Sequence, residues 1–247
     1  MRIEQFDPEK GLYIFEISDL NTEPHSHPAI EILFAQHGTF TLHTPLFYAN
    51  NLTFAVIDSN IRHQISADNS LIRLVMIEHH HTLTHRILAT SGIDTHYSVA
   101  TAESEEYYQS LFSDIIDKIV AELLNKSNVL TDYDTRIKEV ITYIHSQALD
   151  YSLMIPTLKN ITHLSESRLS HLFKANVGIS LKKYLVWQRL KTTIYQLLKN
   201  NDDLFTALIQ SGFYDQPHFT KAFKTMLGIA PSKAYNSRII QVPVANL

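Results

Sequence analysis

The chain has 247 residues, 45% hydrophobic and 19% charged, a composition with enough apolar side chains for two soluble cores. It contains no cysteine, which excludes disulfides and thiolate metal sites and fits a reducing cytoplasm. The formal charge of −4 conceals a division: residues 1–130 carry 7 basic and 17 acidic side chains, residues 131–247 carry 14 and 8, so the second half would attract a polyanion. No apolar run approaches the ~20 residues that span a bilayer. The stretch from Met1 to Pro8 lacks the basic and apolar regions of a signal peptide. A cytoplasmic protein without a membrane partner is therefore expected.

In chain order, residues 1–90 read mostly as β-structure. Gly11–Ile17, Ile30–Phe34, Thr39–His43, Leu52–Ile57 and Leu71–Ile77 are short runs rich in β-branched and aromatic residues. Turn-forming residues separate them at Glu23-Pro24, His37-Gly38, Ala49-Asn-Asn51, Asp58-Ser-Asn60 and Ala67-Asp-Asn-Ser70. This spacing predicts a sandwich or small barrel.

From about Glu103 the period becomes helical. Tyr108, Leu111, Phe112, Ile115, Ile119 and Leu123 form one apolar stripe, which either covers the barrel or pairs with a second copy of the chain. The polar run at 126–133 is expected to be a linker between a domain at 1–125 and one at 134–240. The second domain reads as seven helices: Asp134–Gln147, a short one with Pro156 early in it that ends near Thr162, Glu166–Ala175, Ser180–Asn200, Leu204–Ser211, Gln216–Met226, and a last one starting at Pro231. The fold class is thus α+β, in two domains.

Two segments of the helical half read as the second helix of a helix-turn-helix. Each opens on a capping residue, Ser165 or Asp215, and ends on an aromatic–Lys pair, Phe173-Lys174 or Phe223-Lys224. Leu169, Leu172 and Phe173, and likewise Phe219, Ala222 and Phe223, are spaced to pack inward. In such a unit the exposed N-terminal residues meet base edges. The candidate readers are Ser167, Arg168, Ser170 and His171 in the first unit, and Gln216, Pro217, His218 and Lys221 in the second. Gln matches adenine in bidentate fashion, and His or Lys donates to guanine acceptors. Ser165, Lys174, Lys182, Lys183, Thr220 and Lys224 are candidate phosphate anchors, which orient without reading sequence. The competing reading is an all-helical partner-binding module with solvated lysines.

Residues 131–238 resemble the DNA-binding domain of the AraC/XylS family of bacterial transcription regulators. The resemblance is carried by Leu164-Ser165, Leu169-Ser-His-Leu-Phe-Lys174, Gly178-Ile-Ser180, Tyr184-Leu185, Arg189-Leu190, Leu197-Leu198, Gly212-Phe213, Asp215-Gln-Pro-His-Phe219, Ala222-Phe-Lys224, Gly228 and Pro231. It implies a seven-helix domain whose two recognition helices enter successive major grooves of promoter DNA. It also implies contact with RNA polymerase, activation rather than repression, and homodimerisation through the helical stripe at 103–125. Positions where the family usually has a small Ala fall on Lys159 and Leu208, and the final aromatic and Arg are displaced to Tyr235 and Arg238.

In the first half, His25-Ser-His27, Glu31 and Gly38 have the spacing of the first motif of cupin β-barrels, and His63 stands where the second motif would supply a histidine. The resemblance implies a cupin-like barrel that senses a small-molecule effector or dimerises. His25, His27 and Glu31 share parity on an extended chain. With His63 they make either an effector-pocket or structural cluster, or a site for Fe, Mn, Ni or Zn. No cofactor is expected under the first alternative. The second leaves open a metal-dependent cupin enzyme, a dioxygenase or isomerase with a helical appendage. His79-His-His81 with His85 reads as a solvated loop, because adjacent residues on a strand point to opposite faces.

Overall fold

The computed structural model describes residues 1–78, 97–100, 121, 133–146, 151–199 and 203–234. The chain divides into two compact units, Met1–Val129 together with Phe223–Leu247, and Leu130–Ala222. The stripe at 103–125, the linker at 126–133 and the histidines at 79–85 fall almost wholly outside the described residues.

The strand-rich unit contains β1 (Arg2–Asp7), β2 (Leu12–Ser18), β3 (Ala29–His37), β4 (Phe40–Thr44), β5 (Phe47–Leu52), β6 (Phe54–Ile57), β7 (Gln64–Ser66), β8 (Leu71–Glu78) and β9 (Tyr97–Ala100). The described strands form a six-stranded sheet in the order β1-β2-β8-β3-β6-β9 and a three-stranded sheet in the order β5-β4-β7. Every pairing is antiparallel. The strand β3 lies between β8 and β6, so its backbone bonds on both sides, and Ala29 to Leu33 are buried without a break. That burial explains why its sequence is a nearly continuous apolar run interrupted by one carboxylate, Glu31.

Sequence reading missed β1 and β7 and took Ala49-Asn-Asn51 for a turn. In the fold these residues belong to β5, and Asn51 accommodates a left-handed φ of 55°. Asn tolerates that backbone region better than most residues, so a local turn signal was overridden by pairing with β4. The expected strand Leu52–Ile57 is consequently split, with Leu52 ending β5 and Phe54 starting β6.

The helices are α1 (Thr135–Ser146), α2 (Tyr151–Thr162), α3 (Glu166–Val177), α4 (Leu181–Lys199), α5 (Leu204–Gln210), α6 (Gln216–Leu227) and α7 (Pro231–Ala234). Within the helical unit α1 packs on α2 and α3, α2 on α3, α3 on α4, and α4 on α5. One cluster joins Ile137, Val140, Ile141 and Ile144 of α1 to Met154 and Leu158 of α2, Leu169 and Phe173 of α3, and Tyr184 and Leu185 of α4.

Pro156 lies deeper in α2 than expected, since the helix begins five residues before it, at Tyr151. An interior proline forfeits one backbone hydrogen bond. Pro156 is exposed, while Met154 and Leu158 on either side of it are buried, so core burial carries the helix through. The long helix α4 also departs from a single apolar stripe. It buries Trp187, Gln188, Lys191 and Thr193 besides Leu181, Tyr184, Leu185 and Leu190, and it packs against both α3 and α5.

Candidate functional site

The first helix-turn-helix is α2 and α3. His163 turns the chain with a φ of 52°, and Ser165 caps α3 by accepting from the Arg168 N–H at 3.4 Å. Leu169 and Phe173 are buried, and Leu172 is half-buried against the same cluster. Gly178 closes the helix with a φ of 82° and donates its N–H to the Lys174 carbonyl. The fold thus leaves Ser165, Ser167, Arg168, His171 and Lys174 exposed, with Ser170 half-buried.

The second unit is α5 and α6. Asp203 caps α5 through the Thr206 N–H at 3.1 Å, and Asp215 caps α6 through the His218 N–H at 2.7 Å. Phe213, in the turn, meets Phe219 edge-on at 5.4 Å and also touches the His218 ring at 5.3 Å. The turn therefore holds both the buried anchor and one candidate reader. Gln216, Pro217, His218, Lys221 and Lys224 are exposed, and Thr220 is half-buried. On α4, Lys182 is exposed, while Lys183 is half-buried and its ammonium is pushed below its ordinary pKa by that burial. Where small residues were expected, Leu208 is buried and Lys159 half-buried; the small buried residue of α5 is its neighbour Ala207.

The strand-rich unit gathers His25, His27, Glu31 and His63, which are 4%, 2%, 2% and 1% exposed. One ligand atom from each lies within 4.8 Å of all the others. Glu31 comes from β3, and the two leading histidines from the extended chain before it. His63 is brought in by backbone: His25 and His63 exchange N–H to carbonyl hydrogen bonds at 2.9 Å in both directions, and the Asn60 N–H bonds the His27 carbonyl at 2.8 Å.

Each ring has its Nδ1 at hydrogen-bond distance from a backbone carbonyl: His25 with Glu23 at 2.9 Å, His27 with Ala29 at 3.0 Å and His63 with Ile61 at 2.9 Å. On the other side, Glu31 Oε2 lies 2.7 Å from His27 Nε2 and 3.2 Å from His63 Nε2. The second of these is an ion-pair approach without hydrogen-bond geometry. Burial, helped by His63 and His27, pushes His25 down to about 3, and burial also lowers His27 against the pull of Glu31. For Glu31 burial acts upward, but His63 and His27 outweigh it and hold the carboxyl well below its ordinary value. For His63 burial acts downward, and Glu31 outweighs it to raise the imidazole.

Sequence reading missed the residue beside this cluster. Gly228, just past α6, has a φ of 69°, and a Cβ on it would lie 2.5 Å from His25 Nδ1 and 2.7 Å from the Glu23 carbonyl oxygen. The Glu23 N–H donates to the Gly228 carbonyl at 2.7 Å, and Lys224 Nζ lies 3.9 Å from Glu23 Oε1. Gly228 entered the sequence reading only among the residues that carry the family resemblance, and its neighbour His25 was not legible there.

Residues 158–237 match a helix-turn-helix domain family. The chain is 33% identical over 100 residues to the arabinose operon regulatory protein of Escherichia coli K12, covering 40% of this chain and 34% of that one. It is 33% identical over 126 residues to the Msm operon regulatory protein of Streptococcus mutans, covering 50% and 43%. Residues 158–237 are a helix-turn-helix domain of the AraC/XylS type. The matches span less than half the length of either regulator. In overall fold the chain is similar to ToxT from Vibrio cholerae, with a TM-score of 0.57 at 12% identity over 90% of this chain and 96% of that one. A second ToxT structure, described as bound to unsaturated fatty acid, aligns with a TM-score of 0.53 at 11% identity over 93% and 96%. An AraC/XylS-type domain following a strand-rich unit is the arrangement expected from the residues. No helix among the described residues is long and apolar enough to cross a membrane.

Proposed function

We propose that this protein is a transcription regulator that binds promoter DNA through two helix-turn-helix units and takes its signal in the strand-rich unit. The observation that carries the reading is the pair of capped helices, α3 and α6, each with its apolar side buried and its polar or basic N-terminal side exposed. Ser167, Arg168, Ser170 and His171 would read one stretch of major groove, and Gln216, Pro217, His218 and Lys221 another. Ser165, Lys174, Lys182, Thr220 and Lys224 would anchor phosphates, with half-buried Lys183 the weakest of the set.

The signal in the strand-rich unit is read as a small-molecule effector. The ToxT structure with bound fatty acid makes ligand binding in a similar fold concrete for that protein. An effector here acts only through a difference in affinity between two arrangements of the chain. Homodimerisation through residues 103–125 and contact with RNA polymerase belong to the same reading.

The test is duplex binding by the full chain across a salt series, followed by selection of bound sequences from a random duplex pool. Affinity should fall with a log–log slope of about −0.9 for each phosphate neutralised. Absence of salt-sensitive duplex binding would leave the partner-binding module as the better account. Turnover by the metal-loaded chain, with no duplex binding, would favour the cupin enzyme.

A further inference from the structure

We propose that Phe213 is a positioning residue that fixes the His218 imidazole, and that His218, held in this way, is the side chain on which the second unit's choice of base chiefly depends. The proposal rests on the reading of α6 as a DNA-recognition helix.

The turn ahead of α6 constrains one ring from both sides. Gly212 leaves α5 with a φ of 76°. Its N–H donates to the Ile209 carbonyl at 3.0 Å, and the Phe213 N–H donates to the Leu208 carbonyl at 2.9 Å. Those two bonds make a Schellman closure, which satisfies the last carbonyls of a helix and sets the direction in which the chain leaves it. Phe213 is thereby turned inward and is 3% exposed. Phe219, 1% exposed, meets its ring edge-on at 5.4 Å. A ring fixed by the backbone behind it and by a buried neighbour has little freedom.

The other neighbour of that ring is His218, with centroids 5.3 Å apart and planes at 75°. Edge-to-face contact is a preferred geometry for aromatic pairs. The backbone of His218 is held as well. Its N–H donates to Asp215 Oδ1 at 2.7 Å, and Pro217 immediately before it has a fixed φ. His218 is thus exposed to a partner while its backbone and its ring are both restrained.

Gln216 and Lys221 are exposed too, but they carry more rotatable bonds, which must freeze when they meet a base. Immobilising such side chains opposes binding, and a reader that is already fixed avoids the cost. A fixed donor also discriminates more sharply. Its N–H points one way, and a base without an acceptor there leaves it unpaired. An imidazole N–H matches the O6 and N7 acceptors of guanine. The partner of the restrained ring is therefore a guanine edge in the major groove.

Duplex binding by the full chain is measured at fixed salt with the selected sequence and with each base pair replaced in turn. The guanine whose preference disappears in His218→Ala marks the His218 contact. Phe213→Leu keeps an apolar side chain but removes the ring. It should cut the preference for that guanine by about twofold to tenfold, leave the other preferences and the salt dependence as they were, and change no preference further when His218 is already Ala. A loss of affinity equal for all duplexes overturns the proposal. So does a loss of preference that persists in the His218→Ala background, or a His218→Ala chain that keeps every base preference. Proton NMR of the unsubstituted chain gives a check that needs no variant to fold: the ring protons of Phe213 and His218 should show a mutual nuclear Overhauser effect, and its absence overturns the positioning. If the full chain binds no duplex at all, the regulator reading falls and the reading role of His218 with it, while the ring-to-ring signal still decides whether Phe213 fixes the imidazole.

Discussion

His25 and His63, thirty-eight positions apart, exchange both backbone hydrogen bonds at 2.9 Å, and their rings stand edge to face with centroids 4.2 Å apart. This one bridge brings two distant motifs into a single buried cluster, and it makes Glu31 the common partner of His27 and His63.

Removing that partner should be costly. Glu31→Ala should lower the unfolding free energy by about 1–3 kcal/mol, because the buried His27 and His63 Nε2 atoms lose their carboxylate partner, while His63, no longer raised by Glu31, turns neutral. Urea denaturation of the two proteins measures the difference. A loss below about 1 kcal/mol would mean that water or another group already balances the imidazoles.

Gly228→Ala should destabilise the strand-rich unit by more than the ~1 kcal/mol typical of a left-handed glycine, because the added carbon would sit 2.7 Å from a backbone oxygen that cannot turn away. Thermal unfolding checks the cost. Hydrogen exchange at the Glu23 amide should accelerate in the same variant, since its acceptor is the Gly228 carbonyl.

Reading and anchoring should separate by substitution. Lys221→Ala and His218→Ala should each relax preference at one groove by ~1–3 kcal/mol per lost base contact. Lys182→Ala should weaken all duplexes alike and flatten the salt dependence by one phosphate. Competition between selected and scrambled duplexes gives both quantities. A uniform effect from all three would collapse the division into readers and anchors.

Asp134 accepts the Arg136 N–H and guanidinium at the start of α1, and this pairing holds its carboxyl down to about 2 from an ordinary 3.8. A depressed carboxylate contributes stability above its unfolded value, and that contribution is lost as the pH falls from there through about 2. An NMR titration of the Asp134 carboxyl should show this midpoint, and Arg136→Ala should return it toward 3.8.

The helices were the most legible part of the chain. Periods of three and four, the caps Ser165 and Asp215 and the glycine at 178 act within a few residues, and α3 to α6 follow them closely. The strands were less so. Asn51 carries a turn signal and still lies in β5, and β7 depends on β4, whose paired residues stand more than twenty positions away. The buried Lys191 and Gln188 of α4 were unreadable for a similar reason, since which faces of a helix are covered depends on where its neighbours settle.

By itself the sequence determined the helix-turn-helix pattern, the charge division and the candidate set His25, His27, Glu31 and His63, because spacing, capping and composition are local properties. Only tertiary structure decided that the four side chains converge in a buried place and that Gly228 lies against His25. Those relations are made by long-range backbone hydrogen bonds, whose partners are chosen by how the sheets pair and not by the residues beside them.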